Sequence, residues 1–136
     1  MTTDELDKYV HDLIIRHQAY PSPLRYNGFP KSICTSVNNI VCHGIPDNRP
    51  LANGDIITVD VSVSKIFFCA CFLCVSYSYN SIHMQVYRQG YHGDCAATYL
   101  VGDVDEEGKL LVQAAEDILK KTISVCKPGK PLDLIG

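Results

Sequence analysis

From Asp55 to Val63 the sequence alternates with a period of two: Ile57, Val59, Val61 and Val63 fall on one side of an extended chain, and Thr58, Asp60 and Ser62 fall on the other. A β-branched run of this kind predicts a strand with one buried and one polar face, entered from the Asn53-Gly54 turn. Asp60 is the anomaly, because aspartate suits the middle of a strand poorly. A single such residue is ordinarily one that meets water on the solvated face of a sheet.

The anomaly repeats. A second strand is expected from Tyr91 to Val101, just after the Gln89-Gly90 turn signal, and there His92 and Asp94 share a face. Between the two aspartates lies an apolar, cysteine-studded segment, residues 64–86. Leaving that segment out joins Val63 to Tyr87 and gives DVSVYRQGYHGD, a compact hairpin that places Asp94 opposite Ser62 and one same-face step from Asp60. Side chains so related lie within about 4.5 to 8 Å of each other. Two carboxylates that close repel unless a proton or a cation lies between them, and hard divalent ions take carboxylate oxygen readily.

If the second strand instead pairs with its immediate upstream neighbours, Asp94 faces Gln85 and Asp60 loses its partner. The segment carries Ile66, Phe67, Phe68, Phe72, Leu73, Val75, Tyr77 and Tyr79 without a glycine or proline, a composition that prefers pairing or burial to a solvated loop. Cys69, Cys71 and Cys74 with His83 match no standard structural zinc spacing. Val-Ser-Lys at its start and Met-Gln near its end can be encoded as GTAAGT…CAG, the borders of an intron. Val63 to Gln85, or equivalently Ser64 to Val86, is therefore expected to be a translated intron or a gene-model error, a non-native insert at 64–86.

The remaining elements are easier to place. Thr2, Thr3 and Asp4 are helix-start signals, and Leu6, Tyr9, Val10, Leu13 and Ile14 follow at helical spacing, predicting an amphipathic helix that ends near His17. Tyr20-Pro21-Ser22-Pro23 stops it. The Gly-, Pro- and Asn-rich stretch from Leu24 to Pro50, with short apolar pieces such as Ile40-Val41, predicts strands joined by ordered loops. Asp105 is the expected N-cap of a helix through about Cys126, with Leu111, Ala114, Ala115, Ile118 and Leu119 as its apolar stripe. PLDLIG then reads as the start of a further helix.

The chain of 136 residues suits one domain or part of one, and its net charge of −3 with signs interspersed gives no basic stripe for direct nucleic-acid contact. Its longest apolar run, Ile66 to Val75, is too short for the roughly 20 residues of a membrane-spanning helix. The acidic opening MTTDELDKYV does not read as a secretory signal, and seven cysteines, an odd number, suit a reducing compartment with free thiols. A protein that is not secreted, with no membrane partner, is the expectation.

YPSPLRYNGFPKSICTSVNNIVCHGIPDNRPLANGDI, from Tyr20 to Ile56, together with DVSV, YRQGYHGD and VGDVDEEGKLLVQAAEDIL, resembles the type I methionine aminopeptidases of peptidase family M24. The likeness covers nearly everything outside residues 64–86. It implies an α+β pita-bread fold, of which residues 1–136 would be the amino-terminal part, a partial catalytic domain. It implies that Asp60 and Asp94 are two of five ligands to two divalent metal ions (Co, Mn, Fe or Zn). His43, in Cys-His-Gly-Ile-Pro, would bind substrate and assist proton movement, while Tyr26, Phe29 and Cys34 would form the pocket for the methionine side chain. The implied activity is removal of the N-terminal methionine from nascent chains, in the cytoplasm or an organelle such as the mitochondrion, with the ribosome as a further partner. The alternative is an inactive fragment or splice product acting as a binding or interfering module.

Outside that resemblance, a histidine in a Gly-Pro loop is ordinarily structural. Cys34 and Cys42 are expected as small buried hydrophobes with no nucleophilic role. His92 is expected to pack or to support the site from outside. Cys95 stands where the family has a threonine beside the second aspartate, which removes a hydroxyl there. The family's other ligands, a histidine and two glutamates, come from a later segment, so weak or absent metal binding and no measurable turnover are expected of these 136 residues.

Overall fold

A computed structural model describes residues 1–64 and 93–135. Helix α1 (Thr3–Arg16) starts at a capping box in which the Thr2 hydroxyl accepts from the Glu5 N–H and the Glu5 carboxylate accepts from the Thr2 N–H. It leads into a short strand β1 (Tyr20–Pro21), a 3₁₀ turn (Tyr26–Gly28), strand β2 (Cys34–Val37), strand β3 (Ile56–Ser64), strand β4 (Gly93–Leu100) and helix α2 (Glu106–Val125). A 3₁₀ turn over Leu132–Ile135 follows, in place of the start of an α-helix expected at PLDLIG.

Among the described residues, strand β3 is the hub of a four-stranded antiparallel sheet. β4 runs beside it from Ile56↔Leu100 to Val63↔Gly93, while β2 and β1 share the opposite edge, with Cys34↔Asp60 and Pro21↔Val63 among their pairs. The alternation read in the sequence holds: Ile57, Val59, Val61 and Val63 are buried and pack with Val10 and Ile14 of α1 and with Ile33. One face of the sheet is thereby closed by α1, and Thr58, Asp60 and Ser62 are left on the other.

Burial along α1 departs from the expected stripe. Tyr9 is exposed, whereas Asp7 is buried, its Oδ1 accepting the backbone N–H groups of Ser32 at 2.7 Å and Ile33 at 3.1 Å. The carboxylate fastens the helix to the segment entering β2, so its charge is compensated rather than solvated. The second helix departs further: Leu111, Ile118 and Leu119 of its predicted stripe are exposed, and Gly108 is its one buried residue. Its capping prediction holds, with the Asp105 carboxylate accepting from the Gly108 N–H at 2.7 Å. Of the short apolar pieces in the loop region, Ile40 and Val41 are exposed and lie outside any strand.

Candidate functional site

The hairpin register decides whether the two aspartates meet. Ser62 pairs with Asp94 and Asp60 with Ala96, the pairing expected when residues 64–86 are left out, while Gln85, the other partner considered for Asp94, lies outside the described residues. Asp60 and Asp94 stand one same-face step apart on neighbouring strands, close enough for their carboxyls to interact. Burial first, then the interaction with Asp94, pushes the Asp60 carboxyl above its ordinary value, and the nearby His43 offsets part of the rise. Ala96 opposite Asp60 presents only a methyl group, leaving space over the sheet where the two carboxyls converge.

Both aspartates line a cleft of about 750 Å³. Tyr26, Phe29, Cys34 and His43 line the same cleft, together with Pro23, Pro30, Ile45 and Ser62. All six predicted site residues therefore converge on one cavity of a size ordinary for a small-ligand site. Cys34 reaches it from β2, directly across from Asp60. Burial, with the charges of Asp60 and Asp94, pushes its thiol up to about 11, so it stays protonated at neutral pH where it lines the cleft. Tyr26 and Phe29 are held by a tight turn in which Arg25 and Asn27 take left-handed backbone (φ 68° and 48°) and the Arg25 N–H donates to the Phe29 carbonyl at 2.8 Å.

His43 sits exposed at the rim, with a left-handed backbone (φ 52°) that a non-glycine residue adopts only where neighbours impose it. Gly44 supplies the constraint. Its carbonyl accepts from the Thr35 N–H at 2.9 Å, its N–H donates to the Ser36 hydroxyl at 3.2 Å, and a Cβ there would lie 2.1 Å from the Thr35 carbonyl oxygen. Further along, the loop is tied by the Asp55 carboxylate, which accepts both Arg49 guanidinium N–H groups at 2.9 Å, the Asn38 amide at 2.8 Å and the Ala52 N–H at 2.8 Å. These donors, Arg49 above all, hold its carboxyl far below the usual carboxylate range.

Three expectations near the site are corrected or moved. Cys42 is exposed rather than buried, being at the loop tip beside His43. Cys95 pairs with Val61 and its Sγ points to the Val61 carbonyl, 3.9 Å away, on the side of the strand opposite Asp94, so a hydroxyl there would not reach the aspartate. His92, the Gln89-Gly90 turn and the Cys69/Cys71/Cys74/His83 cluster lie outside the described residues. The residue that sequence reasoning missed is Ser62, whose hydroxyl donates to Asp94 Oδ1 at 2.7 Å; its place opposite Asp94 in the register was the available signal.

Carboxylate and hydroxyl oxygens are the donor set a hard divalent cation prefers, so Asp60 and Asp94 fit such an ion. Among the described residues no third His, Cys, Asp or Glu joins them in a group able to hold a metal.

Comparison with known proteins identifies the family and the fold. The chain matches metallopeptidase family M24 over residues 1–72 and 80–136, the break falling inside the 64–86 segment. It is 50% identical over 136 residues to the mitochondrial methionine aminopeptidase 1D of Homo sapiens and 49% identical to the chloroplastic/mitochondrial methionine aminopeptidase 1C of Arabidopsis thaliana, covering 100% of this chain and 34% and 33% of theirs. The chain thus spans about a third of the length of the curated relatives it matches. Among solved structures, the methionine aminopeptidase of Thermotoga maritima aligns with a TM-score of 0.74 at 31% identity, covering 94% of this chain and 43% of that one. That of Rickettsia prowazekii aligns at 0.71 and 41%, covering 90% and 40%. A prolidase from Pyrococcus horikoshii, 18% identical with a TM-score of 0.62 and covering 95% of this chain and 29% of that one, shares the fold. The architecture is accordingly α+β and of the pita-bread type, in partial form.

Proposed function

Because the chain belongs to metallopeptidase family M24, we propose that it is the amino-terminal part of a methionine aminopeptidase, which in complete form removes the N-terminal methionine of nascent proteins with two divalent metal ions. The observation that carries this reading is the convergence of Asp60, Asp94, His43, Tyr26, Phe29 and Cys34 on one cleft, from elements far apart in the chain. Fold alone would not carry it, since folds host many functions.

Asp60 and Asp94 would hold the metal, whose charge would relieve the repulsion between the two carboxylates. When bound, divalent ions supply Lewis-acid chemistry, polarising a scissile carbonyl and lowering the pKa of a water. The chain's own residues bind and orient. Tyr26, Phe29 and the protonated Cys34 wall an apolar recess suited to an unbranched thioether side chain. His43, at the rim and near Asp60, is placed to hydrogen-bond the peptide beyond the first residue and to move a proton at the scissile amide. Gly44 and the Asp55 network keep it there.

With only two carboxylates lining the cleft among the described residues, the chain as it stands should bind Mn²⁺ or Co²⁺ weakly and release no methionine from a Met-peptide. Isothermal titration with either ion, run beside a Met-peptide cleavage assay, tests both expectations; robust methionine release would refute the fragment reading. The small ligand set is also what favours the second reading, a non-catalytic module that binds or interferes, with nascent chains or the ribosome as its partner. The mitochondrial and chloroplastic relatives support an organellar site of action over a cytoplasmic one, which imaging of a tagged chain would check. Residues 64–86 we read as translated intron; sequencing of spliced transcripts tests this, and abundant message containing the segment would count against it.

A further inference from the structure

The polar face of the hairpin is built in rungs. At Thr58↔Thr98 the two hydroxyls satisfy each other at 2.9 Å, at Asp60↔Ala96 an acid faces a methyl group, and at Ser62↔Asp94 a hydroxyl donates into a carboxylate at 2.7 Å. The last rung differs in kind, because it spends a directional hydrogen bond on one of the two acids. Ser62 is the donor there, its hydroxyl directed at Asp94 Oδ1. Ser62 is itself fixed on both edges of the strand: β4 pairs on one side, and its carbonyl accepts the Ser22 N–H at 2.9 Å on the other. Asp94 is exposed and has an acid as its other neighbour, so without a tether its carboxylate would turn toward water and away from Asp60.

We propose that Ser62 is a positioning residue of the divalent-metal site, its hydroxyl fixing the plane of the Asp94 carboxylate so that the remaining lone pairs converge with those of Asp60 on one ion. The inference rests on the metallopeptidase reading above, which supplies the ion. Carboxylates that ligate metals are commonly held by a hydrogen bond of this sort, and losing it lowers metal affinity by about 10- to 100-fold. Ser62 never touches the metal or the substrate in this role; it acts only through Asp94.

Threonine and valine make the decisive pair of substitutions at this position, being isosteric, β-branched and equally suited to a strand, with only one carrying a hydroxyl. Mn²⁺ titrations followed by electron paramagnetic resonance on the 136-residue chain, with thermal melts by circular dichroism as the check on folding, would compare wild type, Ser62→Thr, Ser62→Val and Asp94→Ala. The expected result is Mn²⁺ affinity for Ser62→Thr close to wild type and for Ser62→Val about tenfold weaker, with melting temperatures alike. Equal affinity in Ser62→Val and Ser62→Thr overturns the proposal, as does equal weakening in both. Wild type that takes up no Mn²⁺ overturns this inference while leaving the metal reading of the complete form standing, and uptake that survives Asp94→Ala overturns the metal reading itself.

Discussion

Helices α1 and α2 begin alike and end in opposite circumstances. Each opens on a side-chain N-cap, Thr2 in one and Asp105 in the other, and each carries apolar residues at helical spacing. In α1 that spacing is answered by the valine face of β3: Val10 and Ile14 are both 0% exposed. In α2 Leu111 is 67%, Ile118 64% and Leu119 56% exposed, and the helix start is held tightly, where a Cβ on Gly108 would collide with Val104 and Ile56. Amphipathic periodicity thus predicts that a helix forms and which face seeks cover; it does not supply the cover. No described residue covers the α2 stripe, and the relatives are about three times as long as this chain.

The comparison breaks or sharpens under substitution. Ile14→Ala should have the largest effect, a loss of about 3 kcal/mol in urea unfolding, because a buried aliphatic side chain is removed and the packed face cannot close around the gap. A loss under about 1 kcal/mol would mean that α1 is no better packed than α2. Asp7→Ala should cost about 2 kcal/mol by stranding the buried N–H groups of Ser32 and Ile33, and hydrogen exchange at those two amides should rise with it.

At neutral pH, Asp55→Asn should cost somewhat less, about 1.5 kcal/mol, the typical worth of hydrogen bonds to a charged group. The pH dependence carries a definite sign. The Asp55 carboxyl is held below its ordinary value in the folded state, so its contribution is fully present above the unfolded carboxylate pKa, near 4, and is lost as the pH falls from there toward the folded value. The stability gap between wild type and Asp55→Asn should therefore shrink below about pH 4, and a gap constant down to pH 2 would contradict the network drawn around Arg49.

How far the chain could be read without coordinates follows the range of the interactions. Ile57 to Val63 declared their buried face because period two is a local property, and Asp60 and Asp94 declared their partnership as soon as residues 64–86 were set aside. Asp7 did not declare its burial, since the amides it satisfies lie some 25 residues away. Cys42 resembled Cys34 as a small apolar residue, yet one sits on the sheet and the other on a loop tip. The left-handed backbone at His43 was hidden for the same reason: Gly44 is pressed against Thr35 by tertiary structure, and nothing in Cys-His-Gly-Ile-Pro announces that contact.

The smallest effect belongs to α2. Leu119→Ala removes a leucine that is 56% exposed, in a helix whose residue 119 has no covering partner among the described residues, and alanine is the better helix former. Little transfer free energy is lost, no cavity is left, and the propensity gain opposes what remains, so the expected change is within about 0.5 kcal/mol in either direction. Leu119→Ala and Ile14→Ala delete comparable aliphatic bulk from comparable helical stripes, so the ratio of their effects measures how much of each helix is held by tertiary packing. If urea unfolding of Leu119→Ala instead gave a loss close to that of Ile14→Ala, the α2 face would be covered in solution, and the contrast between the two helices would have to be abandoned.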